Sequence, residues 1–145
     1  MLHFKYLKEK LFVENVSVQN IVKKNKTPFY LYSEQQIKTN YLNFKKTFKN
    51  VNPLICFAAK ANTNLTIMKI LAKLGSGADV VSGGELLKAL KAGIKPNRIV
   101  FSGVGKTEEE LKLAIKKNIL LINVESESEA ILINKIGKKI NKIIP

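Results

Sequence analysis

From Leu54 onward, one unit recurs at intervals of 20 to 24 residues: a short apolar run, a turn, then an amphipathic stretch with helical spacing. The apolar runs span 54–59, 78–82, 98–102 and 120–124. Each is too short for a helix of its own, and the first, 54–59, has the unbroken apolar character of a buried parallel strand. Strand–helix units in succession require parallel strands joined by crossovers, which makes the fold class α/β. Four or five such units either complete a small doubly wound sheet or form half of an eight-stranded barrel, and the pattern alone does not choose.

The helical stretches have legible faces and ends. Ile67, Ile70, Leu71 and Leu74 fall at i, i+3, i+4 and i+7, and Gly75 is placed to stop that helix. Leu86, Ala89 and Leu90 line the next, with Gly93 as its stop and Pro96 beyond. Thr107-x-x-Glu110 has the form of a capping box and opens a helix with Leu111, Ala114 and Ile115 inward. Ser126-x-x-Glu129 has the same form and opens a helix carrying Ile133, Ile136 and Ile140. The chain then reaches Ile143-Ile144-Pro145, an apolar pair that reads as the cut start of another strand.

Upstream the pattern changes. Residues 1–28 hold short mixed segments, with 11–13 extended and a helix predicted over 18–24. Phe29-Tyr30-Leu31-Tyr32 reads as a strand, and Ser33-x-x-Gln36 caps a helix whose Ile37, Tyr41, Phe44 and Phe48 share a face.

Composition narrows the class of partner. At 145 residues, with 46% hydrophobic and 25% charged side chains, the chain has the profile of one soluble globular domain. No apolar stretch approaches the ~18 residues needed to span a bilayer. The opening Met1-Leu2-His3-Phe4-Lys5-Tyr6 lacks the layout of a signal peptide, and a single Cys56 excludes an internal disulfide. A cytoplasmic protein without a membrane partner is expected. The net charge of +14 suggests nucleic acid, but all basic residues except Arg98 are lysines, scattered without interleaved aromatics. Recognition of phosphate and base edges favours arginine forks and stacking platforms, so no nucleic-acid partner is expected.

Three residues stand out as candidates for chemistry. Lys60 ends the first apolar run, where a strand opens into a loop, and a partly desolvated lysine there readily loses its proton. Asp79 lies inside the second run, where a carboxylate is costly unless paired; it either bonds a nearby turn or serves as counter-charge to a cation such as Lys60. Glu85 falls in the first turn of the following helix, where the helix dipole is reason enough for an acid. Gly103-Val104-Gly105-Lys106-Thr107 has the context of a phosphate loop, but Val100 stands where that motif needs its first glycine. A turn feeding a capped helix explains it. His3, the only histidine, sits at what reads as a frayed terminus, so no metal cluster and no His-based catalytic triad are expected.

Several strings together carry a likeness. Phe57-Ala58-Ala59-Lys60-Ala61-Asn62 and Gly77-Ala78-Asp79-Val80-Val81-Ser82-Gly83-Gly84-Glu85 resemble the barrel-type pyridoxal-phosphate amino-acid decarboxylases. Phe101-Ser102-Gly103-Val104-Gly105-Lys106-Thr107 and Asn123-Val124-Glu125-Ser126 resemble the branch acting on meso-2,6-diaminopimelate, as do Phe4-Lys5-Tyr6 and Thr27-Pro28-Phe29-Tyr30-Leu31-Tyr32.

The resemblance implies a (β/α)8 TIM-type barrel of which this chain supplies the first half, about four units. It assigns 1–32 to a β-domain and 33–145 to the partial barrel that binds cofactor. It implies pyridoxal 5'-phosphate, with Lys60 as its covalent anchor, Asp79 near that end of the cofactor and Glu85 as an accessory acid. The reaction implied is decarboxylation of a small amino-acid substrate, meso-2,6-diaminopimelate, to L-lysine and CO2, the last step of lysine synthesis, by a homodimer. The remaining parts of such a site would lie beyond Pro145, so the chain alone is expected to be inactive and poorly soluble. Other members acting on ornithine, arginine or carboxynorspermidine, and a non-catalytic α/β binding module, are the alternatives.

Overall fold

The computed structural model describes residues 3–145, in two compact units, Met1–Lys49 and Asn50–Pro145. The expectation drawn from Met1 and Leu2 lies outside the described residues.

The first unit is a meander followed by helices. β1 (Phe4–Leu7), β2 (Lys10–Val13) and β3 (Val16–Ser17) pair antiparallel in that order. The β1–β2 loop, Lys8-Glu9, has positive φ at both positions, the geometry of a two-residue hairpin turn. After α1 (Val18–Val22), two residues shorter than predicted, the chain reaches α2 (Glu34–Thr47). Ser33 caps α2, its hydroxyl accepting from the Gln36 amide at 3.0 Å. Glu14 Oε1 also reaches this end, accepting from the Gln35 amide at 2.9 Å and the Ser33 hydroxyl at 2.7 Å. These bonds, the backbone one foremost, hold the Glu14 carboxyl below its ordinary range.

Three expectations for this unit are corrected. Residues 29–32 form no strand and pair with none among the described residues, and Tyr30 and Tyr32 lie exposed. Alternation of apolar residues cannot supply a ladder partner. Tyr41 is buried as expected, whereas Phe44 and Phe48 stay exposed and meet edge to face, ring centroids 5.2 Å apart. His3 is not free at a frayed end: its Nε2 lies 3.3 Å from Thr39 Oγ1.

The second unit contains the repeat. β4 (Cys56–Ala58), β5 (Gly77–Val80), β6 (Ile99–Phe101) and β7 (Leu121–Ile122) form a parallel sheet in chain order. α3 (Leu65–Lys73), α4 (Gly83–Lys91), α5 (Glu108–Lys117) and α6 (Glu127–Lys139) alternate with them. Asn64, Ser82, Thr107 and Ser126 cap the four helices through their side chains, and Thr107 with Glu110 completes a capping box. Such caps contribute about 1 kcal/mol each. Gly75 and Gly93, at φ +86° and +93°, follow α3 and α4 where the chain must turn left-handed.

Strand pleating sorts the sheet into two faces. Ala78, Val80, Ile99, Phe101 and Ile122 are buried together with Met68, Leu86, Leu111 and Ile133 from the helices, one contiguous core. The register partners Ala58, Asp79, Val100 and Leu121 fall on the other face and are only half buried. Strands in unbroken chain order, with helices packed against one face, make a singly wound sheet. A doubly wound sheet would reverse its strand order.

Three details depart from expectation. β4 is three residues long and half buried, because it is an edge strand of this sheet. Ile140 is the residue after α6 and is exposed, because the helix ends before its face returns to the core. Residues 143–145 form no assigned strand, but the Ile122 amide donates to the Pro145 carbonyl at 3.2 Å, alongside β7.

Candidate functional site

Parallel strands in order bring their C-terminal ends to one edge of the sheet, where each opens into the loop before the next helix. Lys60 occupies the single helical turn Ala59–Ala61 that follows β4. Ala59 is fully buried and fixes the turn, while Lys60 is exposed. The expected partial desolvation is therefore absent from this unit, because the strand ends two residues before the lysine. Among the described residues, the Lys60 amine has no hydrogen-bond or ion-pair partner.

Asp79 lies on β5, directly opposite Ala58 of β4, two residues before Lys60. Adjacent strands thus carry the lysine and the carboxylate, but the two side chains form no ion pair. Asp79 instead accepts from the Ser102 hydroxyl at 2.6 Å, and that hydroxyl accepts from the Asn123 amide at 2.9 Å. The half-buried carboxylate is thereby partnered from the strand on its other side, β6, and beyond it β7.

Glu85 has a defined local task. Its Oε2 accepts from the Val81 amide at 2.9 Å, and its own amide donates to Ser82 Oγ at 3.2 Å. The side chain closes the β5–α4 turn, more than a helix-dipole interaction alone would require. Its other carboxylate oxygen has no hydrogen-bond partner among the described residues.

Lys106 was legible only as part of a turn, and here it becomes the most buried cation. Its Nζ donates to the Gly103 carbonyl at 2.7 Å, the Asn123 carbonyl at 2.8 Å and Glu129 Oε1 at 3.0 Å. It also lies 5.8 Å from the centroid of the Phe101 ring. Pointed inward, it ties the β6–α5 loop to the β7–α6 loop. Gly103, at φ +92°, allows the loop to bend there. Glu129 does not complete a capping box with Ser126: its Oε2 accepts from the Glu125 amide at 2.8 Å, and its other oxygen takes Lys106. Glu125 reaches back, accepting from the Gly103 amide at 3.2 Å. The signal for Lys106 and Glu129 is long-range, since 23 residues separate them.

Cys56 shares the half-buried sheet face with Asp79. Burial pushes its thiol above the ordinary value, the Asp79 charge adds to that, and Arg98 offsets part. Among the described residues no group of His, Cys, Asp and Glu is arranged to hold a metal, and no helix is long and apolar enough to cross a membrane.

Comparison with known proteins gives this geometry a family. Residues 34–144 match the family model described as pyridoxal-dependent decarboxylase, pyridoxal binding domain. The chain belongs to that family. It is 56% identical over 115 residues to the diaminopimelate decarboxylase of Helicobacter pylori, covering 79% of this chain and 28% of the relative. With the Aquifex aeolicus enzyme of that name it shares 46% identity over 97% of this chain and 33% of the relative. The crystal structure of diaminopimelate decarboxylase from M. jannaschii in co-complex with L-lysine superposes with a TM-score of 0.93 at 39% identity, over 97% of this chain and 34% of that one. The chain thus spans about a third of the length of these relatives.

Proposed function

We propose that the protein decarboxylates meso-2,6-diaminopimelate to L-lysine and CO2, using pyridoxal 5'-phosphate anchored on Lys60. The observation that carries the reading is the unpartnered Lys60 amine in the turn that ends β4, with Asp79 on the neighbouring strand. The relatives named above support the substrate.

The residues fit the cofactor at its reactive end. A primary amine free of competing partners is what an aldehyde requires, and a fixed carboxylate on the adjacent strand supplies a counter-charge. When bound, the cofactor supplies an electron sink for the carbanion left by CO2 departure. The chain's own part is to present and hold. Lys60 would hold the cofactor through its amine, and when not so engaged that nitrogen would be able to take up or give a proton. Asp79 places its carboxylate on the strand next to the one that leads into Lys60, and Glu85 has one carboxylate oxygen without a partner among the described residues.

The same reading takes 33–145 as the first half of a (β/α)8 barrel and 1–32 as part of a β-domain. The singly wound sheet supports the barrel, and the start of the family match at residue 34 supports the boundary. It also takes the complete protein as a cytoplasmic homodimer.

The test is a substrate panel with the full-length protein: meso-diaminopimelate, ornithine, arginine and carboxynorspermidine, scored by CO2 release and amine product. Stoichiometric L-lysine and CO2 from diaminopimelate alone is expected. Preference for any other member would overturn the substrate assignment, and no turnover of any would overturn the enzyme.

A further inference from the structure

The polar chain beside the candidate anchor has a direction. A serine hydroxyl holds one hydrogen and two lone pairs. Because Asn123 Nδ2 donates to Ser102 Oγ at 2.9 Å, the hydroxyl accepts there and delivers its hydrogen to Asp79 Oδ1 at 2.6 Å. A hydroxyl-to-carboxylate bond of that length is charge-assisted and among the stronger kinds.

The sheet fixes both donors. Val100 and Leu121 are the register neighbours of Asp79's row, and Ser102 and Asn123 stand two residues further along on the same face. Their amides continue the ladder, Ser102 donating to the Val80 carbonyl at 2.8 Å and Asn123 to the Phe101 carbonyl at 2.9 Å. Beneath them Lys106 grips the carbonyls of Asn123 and Gly103, the residue after Ser102. Lys106 also pairs with Glu129, so the backbone of both loops is held at a buried ion pair.

Resting on the reading of Lys60 as the anchor, we infer that Ser102 is a positioning residue for Asp79, with its hydroxyl oriented by Asn123 and its loop held by Lys106. A carboxylate on a short side chain has its own rotational freedom. The Ser102 bond removes it, so Asp79 is held in one orientation on the strand beside Lys60. Ser102 acts through Asp79 and need not touch substrate.

The experiment is a double-mutant cycle on the full-length, cofactor-loaded protein. Ser102→Ala is expected to lower kcat by about tenfold with KM changed by less than about twofold, the pattern of a lost transition-state interaction. The visible absorbance and circular dichroism of the Lys60-bound cofactor are expected to shift with it. Ser102→Thr, which keeps the hydroxyl, is expected to restore both. In an Asp79→Asn background, Ser102→Ala is expected to add less than about twofold, because the two residues act as one unit. Equal losses in both backgrounds would overturn the inference, as would a lowered melting temperature with kcat and the visible spectrum unchanged. If Ser102→Ala does not fold, the exposed Asn123→Leu is read through the same cycle. Borohydride trapping separates the two levels. Cofactor on Lys60 with additive losses overturns only the role of Ser102, whereas cofactor on another lysine overturns the reading beneath it.

Discussion

The Nζ of Lys106 lies 3.0 Å from Glu129 Oε1, with 1% and 8% of the two side chains exposed. Each charge is out of water, so each depends on the other. Removing one partner of a buried pair typically costs about 3–5 kcal/mol, while replacing both by apolar groups is often neutral. Lys106→Met is therefore expected to destabilise the protein by about 3–5 kcal/mol, and Lys106→Met with Glu129→Leu to recover most of that loss. Urea unfolding midpoints of the single and double variants check this. A double variant no better than the single would show that the amine's carbonyl bonds, and not the ion pair, hold the two loops.

Glu110 links two helix starts. Its Oε1 accepts from the Gly83 amide at 2.7 Å and its Oε2 from the Thr107 amide at 3.0 Å. These backbone bonds, that from Gly83 first, hold its carboxyl below the ordinary value of 4.5. A carboxyl depressed on folding stabilises fully above its unfolded value and loses that contribution as pH falls through the folded one. The stability gap between wild type and Glu110→Gln is thus expected to be constant above about pH 5 and to close progressively below about pH 4.5. Denaturant midpoints between pH 3 and pH 7 measure it.

Gly77 and Gly75 differ in what a side chain would meet. A Cβ at Gly77 would collide with the Arg98 carbonyl and come within 2.7 Å of Cys56 Sγ, whereas at Gly75 nothing lies within 4 Å. Gly75 has only its left-handed φ of +86° to defend, a cost of about 1–2 kcal/mol in an L-residue. Gly77→Ala must instead move β4 or β6 and is expected to cost more than Gly75→Ala, about 3 kcal/mol or above. Soluble yield and unfolding midpoints of the two variants rank them.

The repeat, the faces of the helices between its strands apart from Ile140, and three of the caps were legible because they rest on local chemistry. Ser33, Thr107 and Ser126 each bond the amide three residues on, an arrangement that the spacing alone announces. Asp79 was legible as a buried acid in need of a partner, but which partner was not, because Ser102 and Asn123 come from other strands through register. Lys106 was hidden for the same reason: its bonds join two loops separated in sequence. Residues 29–32 misled in the opposite sense, since strand propensity says nothing of whether an edge is available to pair. The choice between a doubly wound and a singly wound sheet needed the observed strand order.

The central claim is that Lys60 carries the cofactor. Its amine is exposed and without a partner among the described residues at the end of β4, while the buried Lys106 makes three bonds. Reduction of the cofactor-loaded, full-length protein with borohydride, followed by peptide mapping, tests it most directly. The account predicts one pyridoxyl label, on Lys60, and none in Lys60→Ala. A label on any other lysine, or an undiminished label in Lys60→Ala, would contradict it.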